Sequence, residues 1–219
     1  MLNKTLLLFS GGLDSTTLLA MLLKRGDHVT PLSFHYGQRH NEAEKYAMDK
    51  VSRYYGVKDN LLHMDIRIPD LSVLTKRGNM PHLTYDELQN EIGPSPTYVA
   101  FRNGIFLSYA CAFALSTGIE TVAIATHASD AHNWAYPDCT PEFTGAMGAA
   151  MFIGTYFKVR LIAPFMHMTK DEVVRSGLEL RVPYQLTWSC YEGGDVPCGV
   201  CPTCLERQEA FRKNGFAPL

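Results

Sequence analysis

Near its start the chain runs through Thr5-Leu6-Leu7-Leu8-Phe9 and then breaks at Ser10-Gly11-Gly12-Leu13-Asp14-Ser15-Thr16. A continuous apolar run of this length reads as a strand covered on both faces. The glycines end it, and Leu18, Leu19, Leu22 and Leu23 behind them recur at helical spacing up to Gly26, which predicts a helix over 13–24. A buried strand that turns through glycines straight into an amphipathic helix belongs to a parallel α/β sheet, because only such sheets hide both faces of a strand under helices.

The rest of the chain keeps that rhythm. Strands are expected over 28–34, 61–65, 121–126 and 158–162, and helices over 41–55, 99–116 and 142–156. Five strand–helix alternations predict a parallel five-stranded sheet with helices on both faces. Residues 66–97 interrupt it with Pro69, Gly78, Pro81, Gly93, Pro94 and Pro96, and read as a partly mobile excursion over the mouth of the site. We divide the chain into an α/β core over 1–165 and a helical C-terminal part over 166–219. In parallel sheets ligands bind beyond the carboxyl ends of the strands. The polar clusters at 10–16, 35–40, 102–103 and 127–138 each follow a strand or open a helix, so they are expected around one crevice.

The glycine turn has a chemistry of its own. Gly11 and Gly12 let the backbone curl and aim N–H groups inward, the helix terminus adds partial positive charge, and Ser10, Ser15 and Thr16 add hydroxyls. This is an anion cradle. It lacks the spacing and lysine of a Walker loop and the G-x-G-x-x-G of a dinucleotide fingerprint. A carboxylate at Asp14 beside phosphates makes sense when a divalent cation such as Mg²⁺ lies between them.

Four of the six cysteines, Cys190, Cys198, Cys201 and Cys204, fall within fifteen residues. The spacing fits a tetrahedral Zn²⁺ closed by four thiolates, a structural site with one ion per chain; an iron–sulfur cluster uses the same ligand set. The apolar run at the N-terminus is too short for a signal peptide or membrane span, so a cytoplasmic protein without a membrane partner is expected. With a formal charge of −2 and no basic runs, the chain lacks the electrostatic footprint of a nucleic-acid binder. At 46% hydrophobic and 19% charged residues it can bury a substantial core.

The string Ser10 to Ser15 resembles the pyrophosphate loop of the N-type ATP pyrophosphatases (the PP-loop superfamily), which adenylate a substrate oxygen and release pyrophosphate. Over nearly the whole chain the match is to the QueC family, whose members make 7-cyano-7-deazaguanine in the queuosine pathway. It runs through Phe9 to Thr17, Phe34-His35-Tyr36-Gly37-Gln38-Arg39-His40, Arg102-Asn103, Tyr136-Pro137-Asp138-Cys139 with Glu142-Phe143, Lys170 with Glu172, and Thr187-Trp188-Ser189-Cys190-Tyr191. One departure is Val99-Ala100-Phe101 where the family more often has Val-Pro-Gly.

The resemblance implies a Rossmann-like, adenine nucleotide alpha hydrolase-like sheet with a C-terminal zinc knot. It implies an ATP-dependent C–N ligase acting on 7-carboxy-7-deazaguanine and ammonia, with ATP and Mg²⁺ as co-substrate and a homodimer as a family expectation. ATP would be held by Phe9, Ser10, Gly11, Gly12, Leu13, Asp14, Ser15, Thr16, Thr17, Leu18 and Leu19, and catalysis would rest on Asp14, Lys170 and Arg102. The deazaguanine substrate would meet Arg39, Asn103, Asp130, Tyr136 and Asp138. Each has a plainer alternative: Lys170 a solvated lysine, Arg39 and Arg102 structural partners of carboxylates, Tyr136 and Trp134 packing residues. Of His35, His40, His127 and His132, at most one is expected to take a proton from ammonium. Two other activities keep the adenylation chemistry: a conjugase that stops at an amide, and a tRNA thiolase using Cys139. A zinc-stabilised nucleotide-binding module without turnover is the third rival.

Overall fold

The computed structural model describes residues 3–68, 72–75, 78–88, 90 and 93–217. Five strands form one all-parallel sheet in the order β3-β2-β1-β4-β5: β1 Lys4–Leu8, β2 His28–His35, β3 Leu62–Asp65, β4 Thr121–Ala123 and β5 Arg160–Ile162. Helices cover both faces, as the continuous apolar strands require. They are α1 Leu13–Arg25, α2 Asn41–Tyr54, α3 Tyr85–Leu88, α4 Arg102–Thr117, α5 Ala128–Ala131, α6 Pro141–Gly154, α7 Lys170–Glu179 and α8 Pro202–Lys213.

Alternation along β1 divides the core. Leu7 turns into a cluster with Leu18, Leu19, Val173, Val174, Tyr184 and Phe211, so the C-terminal helices share a core with the first βα unit. Leu6 and Leu8 turn into the opposite cluster with Leu107, Ala110, Ala114, Val122 and Met151. Among the described residues, no helix is long and apolar enough to cross a membrane.

Several boundaries differ from expectation, β5 for one beginning at Arg160 rather than 158. β4 leaves the sheet after Ala123, with a last ladder bond from Ile124 N to Ile162 O at 3.0 Å, because β5 itself ends at Ile162, just before Pro164. α4 begins at Arg102 rather than at 99, because Phe101 holds a left-handed backbone, φ +54°. The bulky residue in that conformation is accommodated by Gly104, where a Cβ would stand 2.3 Å from the Phe101 ring. At the far end of α6, Tyr156 and Phe157 are also left-handed, which ends that helix at Gly154. Residues 69–71, 76, 77, 89, 91 and 92 of the expected excursion lie outside the described residues. Within the described part, Leu74 and Met80 are buried against Tyr36 and Val99, while residues 82–84 are exposed.

Gly177 of α7 tests how tightly the C-terminal helices are seated. A Cβ there would lie 1.8 Å from the Tyr184 hydroxyl, in a ring 1% exposed whose oxygen is hydrogen-bonded to Thr17 at 2.8 Å. Gly177→Ala should therefore cost about 1–3 kcal/mol, read as a fall in melting temperature of about 2–4 °C per kcal/mol. A melt indistinguishable from wild type would show that α7 can shift freely.

Candidate functional site

The sheet order reverses between β1 and β4, so the turns leaving these neighbouring strands diverge and open a crevice at their carboxyl ends. The turn after β1 is the Ser10–Gly12 loop. Gly11 has φ +71°, and a Cβ there would meet the Met48 backbone nitrogen at 2.7 Å, so only glycine fits. The Ser10 and Ser15 hydroxyls stand 3.2 Å apart, and Gly12 N–H donates to Ser10 Oγ at 3.3 Å. Trp188 N–H donates to the Gly11 carbonyl at 3.1 Å, which ties the loop to the chain entering the cysteine cluster.

Asp14, in the first turn of α1, receives the Lys170 ammonium at 2.7 Å. Lys170 opens α7 behind a Thr169/Glu172 capping box. Its Nζ also lies 3.1 Å from His127 Nε2 and 3.3 Å from Glu206 Oε2. Burial disfavours the lysine's charge, but Asp14, Glu206 and Asp130 outweigh it and raise its pKa. Burial likewise opposes ionisation of Asp14, yet the Lys170 ammonium beside it holds its carboxyl below the usual range. Burial, with Lys170 beside it, lowers the pKa of His127 and favours the neutral ring. Asp130, 3.4 Å from His127 Nε2, is pushed up to about 7 by burial.

Arg102 Nη1 donates to the Tyr36 hydroxyl at 3.1 Å while its Nε is buried without a partner. Burial works against its charge, but Tyr36 and Asp138 keep it a guanidinium. Among the described residues no carboxylate pairs with it. A half-buried arginine with an unpartnered Nε and no carboxylate beside it is arranged for an anion. Asp14 Oδ1, Thr16 Oγ1, Thr126 Oγ1, His127 Nδ1 and both Glu206 carboxylate oxygens are also buried without hydrogen-bond partners. Orphaned polar atoms are few in folded proteins. Most of these belong to residues that line the crevice or touch Lys170.

Ser10, Gly12, Leu13, Asp14, Ser15, Phe9, Arg102, Asn103, Asp130, Tyr136 and Lys170 all line this crevice. Other expected residues do not. Thr17 bonds to Tyr184, while Leu18 and Leu19 are buried in the core, because the helix turns those positions away from the loop. Arg39 faces a second cavity beside the cysteine cluster and pairs with Glu192 at 3.2 Å. Asp138 accepts from the Asn103 backbone N–H at 2.8 Å, which supplies a cap where Phe101 offers none. Of the histidines, His127 (1% exposed) and His40 line the crevice, whereas His35 does not and pairs with Asp65 instead. Sequence reasoning passed over Glu206, Tyr85, Tyr191 and Ser33, which stand in or against the same site. Glu206 sits in an Arg/Glu-rich helix that reads as solvated, so its sequence gave no signal.

The cysteine cluster borders the second cavity, while Ser189, Tyr191 and Thr203 next to its cysteines line the crevice. Cys190, Cys198, Cys201 and Cys204 keep all four sulfurs within 4.8 Å of one another, and none is in a disulfide. Cys190 and Cys201 Sγ are 4.0 Å apart, as are Cys198 and Cys204 Sγ. With metal–sulfur bonds of about 2.3 Å, a tetrahedron has edges of about 3.8 Å, so the four sulfurs fit one ion. Backbone N–H groups of Cys198 and Cys201 donate to Cys190 and Cys198 sulfurs at 3.3 Å.

The sequence matches the family described as "Queuosine biosynthesis protein QueC" over residues 4–215. A 7-cyano-7-deazaguanine synthase of Archaeoglobus fulgidus is 44% identical over 218 residues, covering 97% of this chain and 87% of its own. One from Thermoplasma acidophilum is 41% identical over 217 residues, covering 97% and 89%. Among solved structures, the U34-tRNA thiolase NcsA of Methanococcus maripaludis aligns with a TM-score of 0.52 at 16% identity, over 97% of this chain and 66% of that one. That likeness concerns the fold alone.

Proposed function

The chain belongs to the QueC family, and from that premise we propose that it is an ATP-dependent ligase converting 7-carboxy-7-deazaguanine and ammonia into 7-cyano-7-deazaguanine. The acid is adenylated, ammonia displaces AMP to give the primary amide, and a second ATP activates the amide oxygen. Loss of AMP then leaves the nitrile. The observation that carries the reading is that one crevice holds both the Ser10–Ser15 anion cradle and Arg102, whose Nε is buried without a partner. A phosphate-gripping loop and a carboxylate-binding guanidinium in one crevice suit attack of a carboxylate on an α-phosphate. Catalysis here is chiefly positioning and charge stabilisation.

Each residue then has a task. The loop hydroxyls and amides hold pyrophosphate, and the partnerless Oδ1 of Asp14 is placed to hold Mg²⁺, which neutralises phosphate charge when bound. Lys170, already an ammonium, stays over the same phosphates. The apolar wall of Leu8, Phe9, Phe34, Met48 and Ile124 suits adenine. Tyr136 and Tyr85 wall the other end, where the deazaguanine ring would lie. In the cysteine cluster the fit is to Zn²⁺ as a structural ion, because a four-iron cluster is wider than one ion and would spread its thiolates farther. A thiolase role for Cys139 is disfavoured: burial pushes its thiol well above the ordinary range, away from the reactive thiolate.

The test is to incubate the protein with ATP, Mg²⁺, ammonium and 7-carboxy-7-deazaguanine and to weigh the products. AMP and pyrophosphate should appear rather than ADP, with two ATP consumed per nitrile formed from the acid. The supplied amide should yield nitrile with one ATP and no ammonium. Substrate-dependent ADP as the main product would overturn adenylation. An inert amide beside a consumed acid would leave an amide-forming conjugase as the better account.

A further inference from the structure

The ligase reading needs ammonium to enter, lose a proton and attack, and Asp130 is placed for that task. Lys170 already engages Asp14 and Glu206. Asp130 is different: its carboxylate lines the crevice, its nearest basic partner is His127 Nε2 at 3.4 Å, and among the described residues it accepts no hydrogen bond. It lines the same crevice as Asp14, Lys170 and Arg102, and the charges of all three reach it. The acyl carbon of an adenylate bound between loop and guanidinium would lie in that crevice, on the wall of which Asp130 stands. A second, independent feature is the Thr126 hydroxyl, on a residue 5% exposed, lining the same crevice and lacking any partner.

A carboxylate one-fifth exposed that accepts no hydrogen bond, on a crevice that also holds a buried hydroxyl without a partner, suits a small cation carrying several N–H groups. We infer that Asp130 docks ammonium and takes its proton in the amide-forming half-reaction, with Thr126 sharing the docking. This rests on the ligase reading. One proton passes from NH₄⁺ to the Asp130 carboxylate, and the freed lone pair forms the C–N bond at the acyl carbon. The bond from that carbon to the AMP oxygen breaks with its electron pair, and AMP's phosphate takes the second proton as the amide forms. Burial supports the role, since a carboxyl with pKa about 7 can both attract a cation and hold a proton near neutrality.

The two half-reactions separate this role from recognition of the base. Only the first uses ammonium, whereas both bind the ring. Asp130→Asn should raise the ammonium KM at least tenfold and slow amide formation from the acid by about 10²-fold, within the range of a positioned general base. The rate of nitrile formation from supplied amide should fall far less, so that the ratio of the two rates shifts about thirtyfold or more. Equal losses in both half-reactions would overturn the assignment and return Asp130 to the base edge. Thr126→Val, which removes a hydroxyl at constant shape, gives the same readout should Asp130→Asn fail to fold. Its ammonium KM should rise several-fold with the acid KM little moved, and an unmoved ammonium KM overturns the shared docking site. Wild-type enzyme that leaves the amide untouched fails the ligase reading itself, and this inference with it.

Discussion

Lys170→Ala is expected to lower kcat/KM for the acid by about 10³-fold and to destabilise the protein as well. The two effects have separate causes. Activity falls because this removes the only lysine that lines the crevice among the described residues, and preorganised charge in a dry site acts strongly on a transition state. Stability falls because Lys170 Nζ contacts Asp14 at 2.7 Å and Glu206 at 3.3 Å, in a site where it is itself only 13% exposed. Removing one member of a buried pair costs about 3–5 kcal/mol, and the partial exposure of Asp14 places this site at the low end. The melting temperature should fall by roughly 10 °C, at about 2–4 °C per kcal/mol for a chain of this size. Adding Glu206→Gln to Lys170→Ala should restore much of the melting temperature and none of the turnover, since it removes the stranded carboxylate without returning a cation. Turnover of the single variant within tenfold of wild type would show that Lys170 is a solvated residue.

Replacing Cys201 and Cys204 together with serine should abolish metal binding and loosen the part of the crevice wall formed by Trp188, Ser189, Tyr191 and Thr203. Structural zinc contributes on the order of 10–16 kcal/mol in small domains, comparable with the whole stability of a typical fold. Cys201 caps α8 and Cys204 lies in its first turn, while Glu206 two residues later reaches Lys170. Ahead of the cluster, Trp188 N–H holds the Gly11 carbonyl at 3.1 Å. Losing the knot therefore frees both the loop and the lysine partner. Metal analysis should fall from about one zinc per chain to background, with loss of soluble protein or a large drop in melting temperature. A double variant that keeps normal stability and turnover would sink the structural-metal assignment.

The fold class could be read from the chain because its evidence is local. Strand periodicity, the glycine break at Ser10-Gly11-Gly12 and the spacing of Cys190, Cys198, Cys201 and Cys204 are each set by backbone geometry within a few residues. Lys170 could be placed in the site only through its resemblance, since a lysine opening a helix is otherwise unremarkable on a surface. Phe101 in the left-handed region, with Gly104 making room for its ring, shows how a local departure from the family pattern is absorbed without moving Arg102 from the crevice.

Tertiary structure decided the rest. Glu206 becomes a buried partner of Lys170 because α8 packs on α7, a contact between segments whose local charge pattern says nothing of it. Asp138 and Arg39 carry chemistry suited to substrate, yet one caps α4 and the other pairs with Glu192 outside the crevice. A side chain's type is written in the sequence, and so is its place within a helix or strand. Its direction toward a distant partner is not, because that depends on how helices from opposite ends of the chain settle around the point where the sheet order reverses.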